Sequence, residues 1–203
     1  MKATLFYFHD PMCSWCWGYQ STWQNLLQNL PDDVGVTYIL GGLAQDSDEL
    51  MSDDMQLAIQ AHWHRIEDEL GAEFNFDFWK DCQPRRATYP ACRAVIAATK
   101  QNAGVTMILA IQNAYYLRAM NPSDYGTLTV LAQELELDGD KFNIDIDSAE
   151  TENDFQEQIS YSRGVGVSSF PSLLLDYKNE LYRLTVNYKE SQTTLNQISE
   201  IMN

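Results

Sequence analysis

Residues 6–18 read Phe-Tyr-Phe-His-Asp-Pro-Met-Cys-Ser-Trp-Cys-Trp-Gly, with Cys13 and Cys16 at the centre. The apolar run Ala3-Thr-Leu-Phe-Tyr-Phe8 just before it predicts a buried strand rich in aromatic and β-favouring residues. His9, Asp10 and Pro11 break that run. From Ser14 onward the apolar residues Trp17, Trp23, Leu26, Leu27 and Leu30 fall at helical spacing. The cysteine pair therefore belongs where a strand feeds a helix, with Cys13 at or just before the first turn.

That position has chemical consequences. The first turn of a helix carries unpaired backbone N–H groups and a positive dipole end, and both favour a thiolate over a thiol. A cysteine there is a nucleophile near neutral pH. Cys16 lies one turn along the same helix face, within reach of a small disulfide ring. Cys13 is expected to attack and Cys16 to resolve the mixed disulfide. Two cysteines at this spacing also make half of a zinc site. The remaining pair, Cys82 and Cys92, stand ten residues apart and do not supply the other half. His62 and His64, two apart on one helix, point to different faces, so no metal is expected. His62 falls on the apolar stripe and is expected in the core, His64 in solvent.

At 203 residues the chain holds one generous domain or a core domain with an insertion. Its formal net charge of −16 argues against nucleic acid or an anionic membrane surface as a partner, since phosphate contacts need Lys or Arg. No run approaches the ~20 apolar residues that span a bilayer, and no secretory leader is expected, since strand residues begin at Ala3 with no charged and apolar leader pattern ahead of them. The expected location is the cytoplasm, where cysteines are redox-active or free rather than structural crosslinks. Cys82 and Cys92 are accordingly expected as buried free thiols.

Val34-Gly-Val-Thr-Tyr-Ile-Leu40, closed by Gly41-Gly42, predicts a second strand and completes a βαβ unit. Residues 46–163 then change to helical periodicity. Met55, Ile59, His62, Trp63, Ile66 and Leu70 form one stripe, ended by Gly71. Further helices are predicted over 91–102 with Pro90 in the first turn, over 105–120, over 123–137 with Ser123 as N-cap, and over 151–163. The stretch from Asp138-Gly-Asp140 to Glu150 is acidic but lacks the calcium-loop pattern and reads as a polar turn. After Gly164-Val-Gly-Val-Ser-Ser-Phe-Pro171, Ser172–Leu175 predicts a short buried strand, 176–179 a hairpin turn, 181–186 a last strand and 192–202 a closing helix.

The order is βαβ, a helical block, then ββα. With the Cys13/Cys16 pair after the first strand and Pro171 before the third, the chain resembles the DsbA-like thioredoxin-fold disulfide oxidoreductases. Pro11-Met-Cys-Ser-Trp-Cys-Trp-Gly18 and Tyr89-Pro-Ala-Cys-Arg-Ala94 look most like an intracellular, FrnE-related subgroup described as protein-disulfide isomerases. The resemblance implies an α/β thioredoxin fold with a large all-helical insertion. Residues 1–45 and 164–203 would form the thioredoxin-fold domain and 46–163 the inserted one.

It also implies a site. Pro171 is expected to be cis and to lie against the cysteines, so that the peptide ahead of it offers a free edge to an extended substrate. Cys13, Cys16 and Pro171 are the expected catalytic residues; Met12, Ser14, Trp15, Trp17, Ser169 and Phe170 are the expected substrate surface. Ser14-Trp15 replaces the Pro-His of DsbA and the Gly-Pro of thioredoxin, so the pair is expected to be less oxidising than that of DsbA. The expected activity is disulfide reduction or isomerisation on protein or peptide thiols. Beyond the redox-active pair no cofactor is expected, glutathione serving as a co-substrate. Two other readings compete: a glutathione-dependent isomerase or transferase acting on a small molecule, and a non-catalytic peptide-binding module. Relatives with the former chemistry carry a Ser near the Cys13 position, against which the full pair discriminates. Arg85-Arg86, the one basic pair, is weighed as a guide for an acidic ligand such as glutathione.

Overall fold

A computed structural model describes residues 2–203. The predicted first strand forms as β1 (Ala3–His9) and one residue further than its apolar run, taking His9 into the ladder. Helices α1 (Ser14–Gly18) and α2 (Gln20–Gln28) follow, then β2 (Val34–Leu40). The single helix expected from Ser14 is divided at Tyr19, although the i to i−4 bonds Tyr19 N–H to Trp15 O and Trp23 N–H to Tyr19 O, at 3.0 and 2.8 Å, continue through it.

Seven helices separate β2 from the next strand. They are α3 (Asp53–Leu70), α4 (Phe78–Asp81), α5 (Tyr89–Thr99), α6 (Gly104–Leu117), α7 (Tyr125–Glu134), α8 (Gly139–Ile146) and α9 (Ala149–Gly164). The chain closes with β3 (Ser172–Tyr177), β4 (Glu180–Leu184) and α10 (Ser191–Met202). The sheet order is β2-β1-β3-β4, with β1 parallel to β2 and antiparallel to β3, and β3 antiparallel to β4. This is a mixed α/β thioredoxin fold interrupted by an all-helical segment.

Alternation along the central strands explains the packing. Ala3, Leu5 and Tyr7 of β1, with Leu173 and Leu175 of β3, face Trp23 and Leu26 of α2 and Ile198 of α10. Phe8 of β1 and Leu174 of β3 face the other way, onto Val167 and Phe170. Both faces are covered, which is why these strands read as continuous apolar runs. Each fully buried Leu contributes roughly 1.5–3 kcal/mol by leaving water. A separate apolar cluster inside the helical segment gathers Trp63, Met107, Ile111, Tyr116, Leu128 and Phe155.

Local signals set many boundaries. Ser52 and Ser148 accept the N–H of Met55 and Thr151 as N-caps, each worth about 1 kcal/mol. Gly71 ends α3 in the left-handed conformation, and Pro90 sits in the first turn of α5. Lys178 and Asn179 form the β3–β4 turn with positive φ of 55° and 64°. Three expectations fail. Residues 138–146 are not a polar turn but α8, because Asp138 caps Lys141 N–H at 3.0 Å and Phe142 and Ile146 are buried. Ser123 is not the cap of α7. Its hydroxyl donates to Ala87 O and Asp124 takes the cap position. His62 is exposed, because α3 buries only Trp63 and Ile66 fully, a narrower stripe than its apolar pattern suggested.

Candidate active site

The turn between β1 and α1 is held from inside by Asp10. Its carboxylate is fully buried. It accepts the Met12 N–H at 2.8 Å, the Leu43 N–H at 2.8 Å and the Thr88 hydroxyl at 2.7 Å. The Cys92 thiol lies 3.6 Å from the same carboxylate. Burial nonetheless outweighs these donors and pushes the Asp10 carboxyl above its usual range. Asp10 thus ties β1, the β2–α3 loop and α5 into one frame, with its own carbonyl accepting the Cys13 N–H at 3.0 Å.

Cys13 is the N-cap of α1, and its sulfur accepts the Cys16 N–H at 3.2 Å. One of the orphan amides of the first turn is therefore spent on the sulfur itself. Cys13 is 6% exposed and Cys16 is 0% exposed, so Cys13 is the outer member of the pair. Burial pushes the Cys16 thiol up and Cys13 adds to that, while the Asp10 backbone draws it down and the charge of the Asp10 carboxylate opposes the thiolate. All four cysteines carry free thiols; Cys92 is buried as expected, whereas Cys82 is half-buried and donates to Ala119 O at 3.0 Å.

Opposite the pair, the Phe170–Pro171 peptide is cis. The Cys13 sulfur is 3.5 Å from the Phe170 carbonyl oxygen. A residue that sequence reasoning used only as a strand terminator makes this approach possible. A Cβ on Gly41 would stand 1.8 Å from the Phe170 ring, so only glycine lets that ring lie against the end of β2. Gly18 does the same beneath α1, where a Cβ would meet Ile66 of α3 at 2.6 Å. The signal for both was a glycine at the end of an apolar run.

The expected surface residues separate into two groups. Ser14 and Trp15 are half-buried, Ser169 is exposed, and Phe170 is half-buried. Trp15 meets Tyr188 edge-on at 5.2 Å, and the Arg65 guanidinium lies 5.3 Å above its ring. Tyr188 and Arg65 carried no sequence signal, since one lies in the β4–α10 loop and the other in α3, far apart in the chain. Trp17 turns inward instead, stacked on Tyr116 at 5.5 Å with its indole N–H donating to Glu73 O at 3.0 Å. Met12 is 9% exposed and packs into the helical cluster. Arg85 is engaged by Asp124 and the Ser123 carbonyl, while Arg86 is exposed. Among the described residues no group of three or more His, Cys, Asp or Glu side chains has metal-binding geometry, and no helix is long and apolar enough to cross a membrane.

A paired cysteine at a helix N-terminus facing a cis-Pro edge, on this sheet, defines a thioredoxin-like disulfide oxidoreductase architecture. Residues 6–196 match the family described as thioredoxin, and the chain belongs to it. A candidate protein disulfide isomerase from Nitrosomonas europaea superposes with a TM-score of 0.84 at 26% identity, covering 99% of this chain and 97% of that one. The cytosolic disulfide reductase DsbM of Pseudomonas aeruginosa shares the fold with a TM-score of 0.80 at 21% identity, covering 98% of each chain, and its structure with GSH superposes at 0.77. The ClpXP adapter protein SpxH of Bacillus subtilis is 24% identical over 173 residues, 83% of this chain. That match spans only 56% of SpxH, little more than half its length.

Proposed function

We propose that this chain reduces or isomerises disulfides, with Cys13 as the attacking thiol and Cys16 as the resolving thiol. The observation that carries the reading is the Cys13 sulfur at the N-cap, 3.2 Å from the Cys16 N–H and 3.5 Å from the Phe170 carbonyl. The Cys13 thiolate attacks one sulfur of a substrate disulfide, forming a mixed disulfide and releasing the other sulfur as a thiolate. The Cys16 thiolate then attacks the Cys13 sulfur, closes the Cys13–Cys16 disulfide and releases the substrate as a dithiol. Two electrons pass from the pair to the substrate, and two glutathione molecules return them, leaving oxidised glutathione. In isomerisation the substrate's own thiolate expels Cys13 before Cys16 acts.

The proposed substrate lies extended against the Ser169-Phe170-Pro171 edge, with Ser14 and Trp15 beside it and Met12 and Trp17 backing the surface. The direction follows from the environment of the pair. Ser14-Trp15 supplies no imidazolium, and the carboxylate of Asp10 opposes a second negative charge near Cys16. Both make the reduced pair less favoured than in a strong oxidant. Glutathione as co-substrate and a cytosolic setting draw support from the DsbM structures.

Insulin reduction and reactivation of a scrambled disulfide protein test the assignment. Cys13→Ser is expected to bring both to background, and unchanged activity in that variant rejects the role. Equilibration in glutathione buffers fixes the direction: a potential near about −270 mV marks a reductase, and one near about −120 to −180 mV an oxidant or isomerase.

A further inference from the structure

The two edges of the sheet are built differently. At one edge, β4 has five residues and carries Glu180 and Arg183, the kind of charge that keeps an edge from pairing with other chains. At the other, β2 runs seven residues, Val34-Gly-Val-Thr-Tyr-Ile-Leu40, with neither charge nor proline. The Gly41 N–H donates inward to His9 O at 2.8 Å, and His9 stands opposite Leu40 in the register. Odd-numbered backbone groups of β2 therefore face β1, and even-numbered ones face away. The Leu40 N–H is taken by Gln158 of α9 at 2.8 Å. Among the described residues nothing bonds the outward N–H and C=O of Val36 and Tyr38.

Beside this open edge lies a cavity of about 910 Å³, in the upper part of the roughly 300–1,000 Å³ range of ligand sites. Val95 and Ile96 of α5 and Ile108 of α6 wall one side, and Gln158 and Tyr161 of α9 the other. No residue of the Cys13–Cys16 turn reaches it. At its mouth Lys100 is already paired with Glu150 at 2.7 Å and lies 3.8 Å from Asp145. Asp154 and Glu157 also line the mouth and make no ion pair among the described residues. The uncommitted charge is negative.

We propose that this groove docks an extended basic segment of another protein, which adds as a fifth strand along β2. Its backbone satisfies Val36 and Tyr38, alternate apolar side chains enter the cavity, and its Lys or Arg residues face Asp154 and Glu157. A small apolar ligand leaves the two residues' backbone groups unpaired. A second copy of this chain, with a net charge of −16, brings the same acidic rim to the contact. The basic strand meets both requirements. The site is independent of the thiol chemistry.

Titrating the full chain with a dye-labelled heptapeptide, Lys-Val-Lys-Val-Lys-Val-Lys, and with its Glu-for-Lys counterpart tests this. Expected are binding of the basic peptide alone, weakening with salt, and slowed hydrogen exchange at the Val36 and Tyr38 amides. Asp154→Lys with Glu157→Lys is expected to weaken binding at least about tenfold while insulin reduction stays at the wild-type rate. Val36→Pro removes one outward donor without touching the β1 ladder and is expected to abolish docking; if that variant does not fold, the charge reversal still decides. No binding, equal binding of both peptides, binding insensitive to the charge reversal, or binding without protection of the two amides overturns the proposal. So does a concentration-dependent dimer in sedimentation whose formation protects those amides.

Discussion

The Cys13 sulfur stands 3.5 Å from the Phe170 carbonyl oxygen, joining residues 157 apart in sequence. Cys16 lies behind it, fully buried, its N–H aimed at the same sulfur. That arrangement separates the roles of the two thiols. Cys16→Ser is expected to keep the first attack and lose turnover, accumulating a Cys13 mixed disulfide with glutathione or substrate. Mass spectrometry of the non-reduced variant reads this directly; a variant that turns over insulin at the wild-type rate removes Cys16 from the mechanism.

The contact of Gly41 with the Phe170 ring predicts a specificity defect. Gly41→Ala places a methyl where the ring lies, 1.8 Å from its nearest atom. Ring or strand end must move, at a cost of roughly 1–3 kcal/mol. Because Phe170 forms the proposed substrate edge, KM for a peptide disulfide is expected to rise more than for glutathione disulfide. Urea unfolding and paired kinetics check both halves.

Asp10 receives three donors from three parts of the chain. Asp10→Asn turns an amide NH₂ toward at least one of them, and the variant is expected to lose about 1–3 kcal/mol. Removing the carboxylate also lifts a charge that opposes thiolate formation at Cys16. The Cys13–Cys16 potential is therefore expected to move in the oxidising direction, as read in glutathione buffers. An unchanged potential places Asp10 outside the electrostatics of the pair.

His9 makes stability depend on pH. It is fully buried with no partner for either ring nitrogen and stacks on Tyr7 at 5.1 Å. Burial lowers its pKa from 6.5 to about 3. Between those values the unfolded chain holds one more proton, so stability is lost as pH falls. The slope is about 1.4 kcal/mol per pH unit. His9→Phe is expected to flatten the unfolding profile by that amount between about pH 6 and pH 4. Asp10 has the opposite sign, because its raised carboxyl loses stability as pH rises above the usual carboxylate value. Asp10→Asn is accordingly expected to steepen the same profile.

What the sequence determined by itself was whatever depends on neighbours in the chain. The continuous apolar runs of β1 and β3, the Cys13–Cys16 spacing at a strand–helix junction, and the caps at Gly71 and Pro90 are local signals. Their order was enough to identify a thioredoxin fold with a helical insertion. The cis peptide at Pro171 was legible only through resemblance, since no residue type alone dictates that isomer.

Contacts between distant segments decided the rest. The acidity of residues 138–150 looked like a turn until Phe142 and Ile146 found a core to enter, and tertiary burial overrode local polarity. Periodicity placed His62 on an inner face, yet only part of α3 has anything to pack against. The frame around Asp10, the glycine that admits Phe170, and the open edge of β2 beside an acidic-rimmed groove each join segments far apart in sequence. Side-chain pattern specifies which face is apolar. It does not specify which partner covers that face, because that choice is set by packing free energies summed over the whole fold.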